Sequence, residues 1–391
     1  MTDFLVPVLR GFLPEGVALA ISMAVAMAIV VNFVLILTAI ITWAERRVVG
    51  RIHNRIGPNR VGPNGFFQPI ADTIKMVLKE DIVRPAADRW VFNLAPILLF
   101  IPALTIFVVI PFADGWFLAG LDIGLLFVVA VSSFGAVAIF MAGWGSDNKY
   151  ALLGALRSVA MLVSYEVPMV LALAAVVLVS GSMNMTDIVN AQSIPFLLVQ
   201  PTAFAIFLLG AAAEVGRSPF DITEAESEIV AGYHTEYSGM KFGLFYLSEF
   251  VAAIAWAAVG ATVFLSGWQI PGLPFLDILG ALWWFLKTML LFSIFVWFRG
   301  TWPRLRIDQM LAFSWKVLFP VAGLNLAITA VEVVAFQSVF NVAADGMFPA
   351  LALAGMAVIN IGVFLAVAVA LTNLLRPRAK ELPPYPAYIG S

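Results

Sequence analysis

The chain has 391 residues, 62% of them hydrophobic and only 12% charged, with mean hydropathy +0.98 and a formal net charge of -2. Apolar runs of about 20 residues recur along it, which excludes a soluble globular core and predicts an all-α polytopic membrane protein. The charge balance, with no basic tract interleaved with aromatics, excludes nucleic acid as a partner, and the absence of cysteine excludes disulfides, thiolate-held iron–sulfur clusters and cysteine zinc sites.

The N-terminus lacks a basic n-region and a small-residue cleavage site, so the first apolar run, 17-43, reads as a retained helix. A long connector, 44-93, follows. Within it Phe67, Ile70, Ile74, Val77 and Leu78 recur at helical spacing with Lys75 and Lys79 on another face, which predicts an interfacial amphipathic helix. That apolar face is suited to lipid or to other protein. Further spans are expected near 94-112, 121-143, 156-180, 196-213, 242-266, 277-298, 316-339 and 347-375, about nine in all. The residues beyond 340 form a last span and a Pro-rich tail, expected to be extended.

Twenty of the 22 Lys and Arg residues lie in 44-93, 144-157, 214-241, 299-316 or after 375, whereas the alternate connectors carry none. By the positive-inside rule the basic connectors face the cytoplasm or matrix, with the N-terminus outside and the C-terminus inside. Arg10 and Lys287 are the exceptions. Lys287 falls near the middle of the seventh span, where snorkelling is difficult and a buried carboxylate or aqueous path is the expected partner.

The densest chemistry is acidic. Glu214, Asp221, Glu224, Glu226, Glu228 and Glu236 crowd one inside connector, with Arg217 as the local positive charge. Carboxylates packed into a poorly hydrated space cannot all ionise, so they titrate as a coupled set, which is what a proton relay requires. A solvated loop that binds a basic partner is the competing interpretation. Glu166, two residues before the helix-perturbing Pro168, and Glu249, about two turns into the sixth span, continue the series at membrane depth with Lys287. The basic groups around Glu45-Arg46-Arg47 and Arg304-Leu-Arg306 orient the chain or meet anionic lipid. The sequence shows no phosphate loop, zinc-protease motif or nucleophile elbow, and His53 and His234 stand in polar segments unsuited to axial haem ligation.

The segments from Glu45 to Pro63, from Gln68 to Asp72, from Glu214 to Asp221 and from Trp302 to Gln309, in that order, resemble the H subunit of proton-pumping NADH:quinone oxidoreductase, respiratory complex I. The resemblance covers about 15-338 and implies a single membrane domain over 1-391, built on an eight-helix core with an extra C-terminal helix in 340-391. It also implies a fold shared with antiporter-like subunits in helices two to six. A quinone, ubiquinone favoured, would be the substrate, with no metal, flavin or iron–sulfur cluster in this chain. Partners would be the iron–sulfur and quinone-site subunits of the hydrophilic arm, small membrane-arm subunits and lipid. A bacterial inner membrane is the expected location, a mitochondrial inner membrane the alternative.

By matching position, the resemblance puts Arg46, Arg55, Asp72, Arg217, Phe220, Tyr246 and Arg304 or Arg306 around the quinone. It puts Glu45, Glu166, Glu214, Asp221, Glu224, Glu226, Glu228, Glu249 and Lys287 along a proton path. His53 stands where glutamine is common, and a neutral imidazole can replace the amide as a hydrogen-bonding group. The alternatives are the membrane anchor of an energy-converting hydrogenase, a proton or cation antiporter, and a purely structural adaptor.

Overall fold

The computed structural model describes residues 14–221, 231–270, 279–340, 342 and 347–375. Helix α1, Glu15–Ile52, is 38 residues long, about 57 Å at 1.5 Å per residue. It therefore outruns a hydrocarbon core of about 30 Å and carries Glu45, Arg46, Arg47 and Arg51 on the same rod as the apolar run. The inside connector expected from residue 44 thus begins as helix. After a turn, α2, Gln68–Leu78, is the amphipathic helix, started by Pro69 in its first turn.

The next elements are α3, Arg89–Thr105, α4, Gly124–Ser132, α5, Phe134–Gly145, and α6, Lys149–Ser180. Asp88 caps α3 by accepting from the N–H groups of Trp90 and Val91 (3.1 and 3.4 Å). Asn148 caps α6 by accepting from Tyr150 N–H (3.0 Å), and Gly181 ends it in the left-handed region at φ 72°. Short helices α7, Met185–Asn190, and α8, Phe196–Val199, lead to α9, Pro201–Glu214. The chain continues as α10, Gly239–Phe264, α11, Gly280–Thr301, α12, Ile307–Phe313, a π-helical turn at Ser314–Leu318, α13, Phe319–Phe340, and α14, Ala350–Leu375.

Eight helical stretches among the described residues are long and apolar enough to cross a membrane, with the α4–α5 and α12–α13 pairs each counted as one. The expected fifth span, 196-213, is broken at Gln200, leaving the 14-residue α9. At about 21 Å, α9 is shorter than a full crossing. Backbone broken inside a membrane protein must find partners within it, and the Gln200 side chain donates to Thr329 Oγ1 (2.9 Å) and accepts from Asn325 Nδ2 (3.3 Å) on α13.

The core lies where α6 packs on α5, α9 and α13 and where α10 packs on α3 and α11. From Ala253 to Phe264 every residue of α10 is buried, and its alanines and Gly260 allow neighbouring backbones to approach closely. Pro168 leaves α6 continuous. Proline frees the carbonyl four residues earlier, and that carbonyl, on Ser164, accepts a hydrogen bond from Ser314 Oγ in the π-helical turn. The opened backbone is thus answered by the α12–α13 junction.

Candidate functional site

Helix α2 divides its residues between two faces. Ile70, Ile74 and Val77 face away, whereas Pro69, Asp72, Met76 and the more exposed Thr73 line a cleft of about 280 Å³ between α1, α2 and α10. The inward positions follow the i, i+3, i+4, i+7 spacing of one helical stripe. Most of the cleft wall is apolar, and its polar end holds Arg46, Asp72 and Tyr246. Arg46 Nη1 lies 2.7 Å from Asp72 Oδ2, Gln68 Nε2 donates to Asp72 Oδ1 at 2.8 Å, and Tyr246 also bonds to Arg46. Met76 lies against Gly243 of α10, where an added Cβ would stand 2.7 Å from Met76 Sδ.

One residue before Arg46, Glu45 faces a different group. Its carboxylate bridges Arg217 Nη1 at 2.7 Å and Arg299 Nη1 at 2.6 Å, and both Glu45 and Arg217 are buried. The Arg217 guanidinium lies over Phe250 and Phe292, 4.9 and 5.2 Å from the ring centroids, so its positive charge is held by ring faces as well as by the carboxylate. Its Nε stands 3.9 Å from Glu249 Oε1.

Glu249 opens onto a cavity of about 90 Å³ whose wall also contains Glu214, Ser132, Ser158 and Ser248. That is room for several water molecules, with polar groups to hold them. Glu214 interacts electrostatically with Glu166, and Glu166 accepts a hydrogen bond from Ser133. Ionisable groups therefore run without a long apolar gap from the cleft through Glu45, Arg217 and Glu249 to Glu214 and Glu166.

The segment after α9 is fastened to the start of α12. Arg304 Nη2 pairs with Asp221 Oδ2 at 3.0 Å, Leu305 N–H donates to Pro219 O at 3.2 Å, and Ser218 Oγ donates to Trp302 O at 3.2 Å. Phe220 is buried against Tyr165, ring centroids 4.7 Å apart, and the Tyr165 hydroxyl donates to Met310 O at 3.0 Å. Burial pushes the His234 imidazole down to about 4 against the opposing charge of Asp221.

Residues 25–330 match the sequence model of the NADH dehydrogenase family. The chain is 53% identical to the NADH-quinone oxidoreductase H subunit of Dehalococcoides mccartyi (strain CBDB1), over 77% of this chain and 84% of that protein. The chain belongs to this family of H subunits. It is also 47% identical to the second of the numbered H subunits of Geobacter sulfurreducens, covering 81% of this chain and 98% of the relative, and 46% identical to the H subunit of Anoxybacillus flavithermus, covering 76% and 91%.

Of the groups that the resemblance puts around a quinone, Arg46, Asp72 and Tyr246 meet in the cleft and Arg217 adjoins it through Phe250, a residue of the cleft wall. Phe220 and Arg304 belong to the neighbouring fastening. Arg55 is exposed at the turn after α1, where its N–H donates to Gly50 O (2.8 Å), and Arg306 is exposed at the start of α12, its N–H held by Gln309 Oε1 at 3.3 Å. Glu224, Glu226 and Glu228 lie outside the described residues. Lys287 sits two turns into α11 and donates to the carbonyls of Gly267 and Gln269, at 2.9 and 2.6 Å. Its ammonium thus reaches the connector at the end of α10.

Among the described residues Arg217 pairs with Glu45 and Glu249, while Asp221 takes Arg304 and Glu236 takes Asn148 Nδ2 (2.6 Å) and Arg84 (3.5 Å). Arg299, absent from the sequence-derived set, is the residue reasoning missed. Its signal was a basic side chain in the last turn of an apolar helix, indistinguishable in sequence from a topology-setting arginine. His53 Nε2 lies 3.2 Å from Gly300 O.

Proposed function

We propose that this chain is the membrane subunit of a proton-translocating NADH:quinone oxidoreductase that forms much of the quinone chamber and couples quinone reduction to proton translocation through its carboxylates. One observation carries this reading: an apolar cleft with Arg46, Asp72 and Tyr246 at one end continues through Glu45, Arg217 and Glu249 to a polar cavity at Glu214. A quinone headgroup presents two carbonyl acceptors, which suit the Arg46 and Tyr246 donors, while the apolar wall suits an isoprenoid tail. Reduction to quinol takes two electrons and two protons. The electrons come from iron–sulfur subunits of the hydrophilic arm, and this chain supplies the positioned donors and the proton route.

In this reading, negative charge developing on the reduced quinone draws protons through Glu249 and Glu214 and changes the protonation of Glu224, Glu226, Glu228 and Glu166. Ubiquinone is the favoured quinone, and the remaining partners are small membrane-arm subunits and lipid. The protein would reside in a bacterial inner membrane as one domain, with its basic connectors inside. The family relationship favours this assignment over the hydrogenase anchor and the antiporter.

The test compares assembled wild-type complex with Asp72→Asn, measuring NADH oxidation by quinone and by a water-soluble artificial acceptor. Loss of the first at least tenfold with the second retained is expected. Equal activity with quinone removes the cleft from the mechanism. Glu228→Gln, assayed the same way with proton uptake, tests the acidic connector: unchanged turnover and pumping would make it a docking or solvated feature.

A further inference from the structure

Two buried acceptor atoms in the outer part of the bundle are left over by the mechanism. Glu332 on α13 and Asn360 on α14 are 6% and 1% exposed, and Asn360 Nδ2 donates to Glu332 Oε2 at 2.7 Å. The other oxygen of each group, Glu332 Oε1 and Asn360 Oδ1, has no hydrogen-bond partner among the described residues. Thr329, one turn away, cannot supply a donor, because its hydroxyl already donates to Asn325 O at 2.8 Å. Both residues lie beyond 25–330, the stretch that matches the family, and Asn360 belongs to the C-terminal extension.

An ionised carboxylate offers acceptors only, and a carboxamide offers one acceptor edge and one donor edge. With Glu332 ionised, a charge and two acceptors are buried together and unanswered, each at the cost of its hydration. A proton on Oε1 changes all three at once: it removes the charge, gives Glu332 a donor, and provides Asn360 Oδ1 with the hydrogen it lacks.

We propose that Glu332 holds a proton in the folded chain and donates it to Asn360, so that an acid–carboxamide pair with two hydrogen bonds fastens α14 to α13. Among the described residues the helices around the pair supply no competing charge. The helices packed on α14 are α8, α9 and α13, and those on α13 include α6 and the π-helical turn. Helices α8 and α14 contain no titratable residue, α9 has only Glu214 at its far end, and the titratable residues of α6, Lys149, Tyr150, Arg157, Tyr165 and Glu166, all lie in its first 18 residues. Lys316 in the π-helical turn lies sixteen residues before Glu332, about 24 Å away along a helix. The pair is therefore a proton-binding site separate from the cleft and its relay.

Infrared difference spectra of the assembled complex test this directly. Wild type minus Glu332→Gln is expected to contain one protonated-carboxyl C=O band that shifts in deuterium oxide, and Asn360→Leu is expected to move that band upward by removing its hydrogen bond. Glu332→Gln, which reproduces both hydrogen bonds with an amide, should melt like wild type, whereas Asn360→Leu should melt lower. An ionised-carboxylate band in place of the protonated one at neutral pH overturns the proposal. So does a melting temperature that rises with added sodium in wild type but not in Glu332→Gln, which would assign the two oxygens to a bound cation. Should Glu332→Gln fail to assemble, the wild-type and Asn360→Leu spectra alone decide.

Discussion

Glu45 is bonded to two guanidinium groups that reach it from 172 and 254 residues away in the chain. The Arg217 side chain is 1% exposed and that of Arg299 31%, so the two pairs differ in consequence. Removing one partner of a fully buried pair strands the other, at a cost of about 3–5 kcal/mol. Glu45→Gln should therefore strongly lower the melting temperature of the assembled complex, whereas Arg299→Gln, with water still in reach, should cost about 1 kcal/mol. The double variant Glu45→Gln/Arg217→Gln should recover part of the loss, since no buried charge then stands alone. Equal melting of Glu45→Gln and wild type would sink the argument.

His234 makes a second residue-scale prediction. Its folded pKa of about 4 lies below the ordinary 6.5 because burial disfavours the cation, while Asp221 pulls the other way. The unfolded chain thus binds more protons between those values, so stability is full above about pH 6.5 and falls as pH drops toward about 4, by about 3 kcal/mol in all. Melting curves from about pH 7.5 to about pH 5 should slope less steeply in His234→Gln than in wild type. Identical slopes would place the pH sensitivity elsewhere.

At the scale of elements, close packing depends on where a methyl group can be added. A Cβ on Gly154 of α6 would stand 2.7 Å from Gly232 Cα, whereas around Gly323 of α13 nothing lies within 4 Å. Gly154→Val should destabilise by about 1–3 kcal/mol through overpacking, and Gly323→Ala should be neutral or stabilise by up to about 1 kcal/mol through helix propensity. Opposite signs in the two melting shifts are the expected result. The spans themselves were legible, because hydropathy over twenty residues is a local property. The amphipathic stripe from Phe67 to Leu78 was equally so, since its period is written in the residues. Their ends were not: α1 continues through Arg46 and Arg51 because a helix satisfies its own backbone while long cationic side chains bend away from lipid. The break at Gln200 was also hidden, because its side-chain partners Asn325 and Thr329 lie more than a hundred residues on. The site divides in the same way. Arg46, Asp72 and Tyr246 carried sequence signals through resemblance, but the pairing of Glu45 with Arg299 depends on two helices meeting.

Across the whole molecule, the proposed coupling requires water as well as carboxylates, because the route it assigns between Glu249 and Glu214 crosses the cavity that both of them line. Gly135 on α5 forms part of that wall, and a Cβ placed there would meet only Leu99 Cδ1 at 3.7 Å and Glu214 Oε1 at 3.9 Å. Both distances are ordinary contacts, so a side chain can grow into the cavity without forcing the helices apart. Gly135→Ala should leave the melting temperature unchanged or slightly higher, since alanine favours the helix by up to about 1 kcal/mol. Gly135→Leu should go further and displace the water while every ionisable group stays in place. A proton then has no hydrogen-bonded route between the two carboxylates, and quinone-linked turnover and proton uptake should fall together, by about tenfold or more, as expected for a lost proton-transfer path. NADH oxidation by a water-soluble acceptor should be unchanged, since those electrons do not depend on the membrane cavity. Full pumping in Gly135→Leu, with assembly intact, would mean that protons reach the cleft by a route that avoids Glu214.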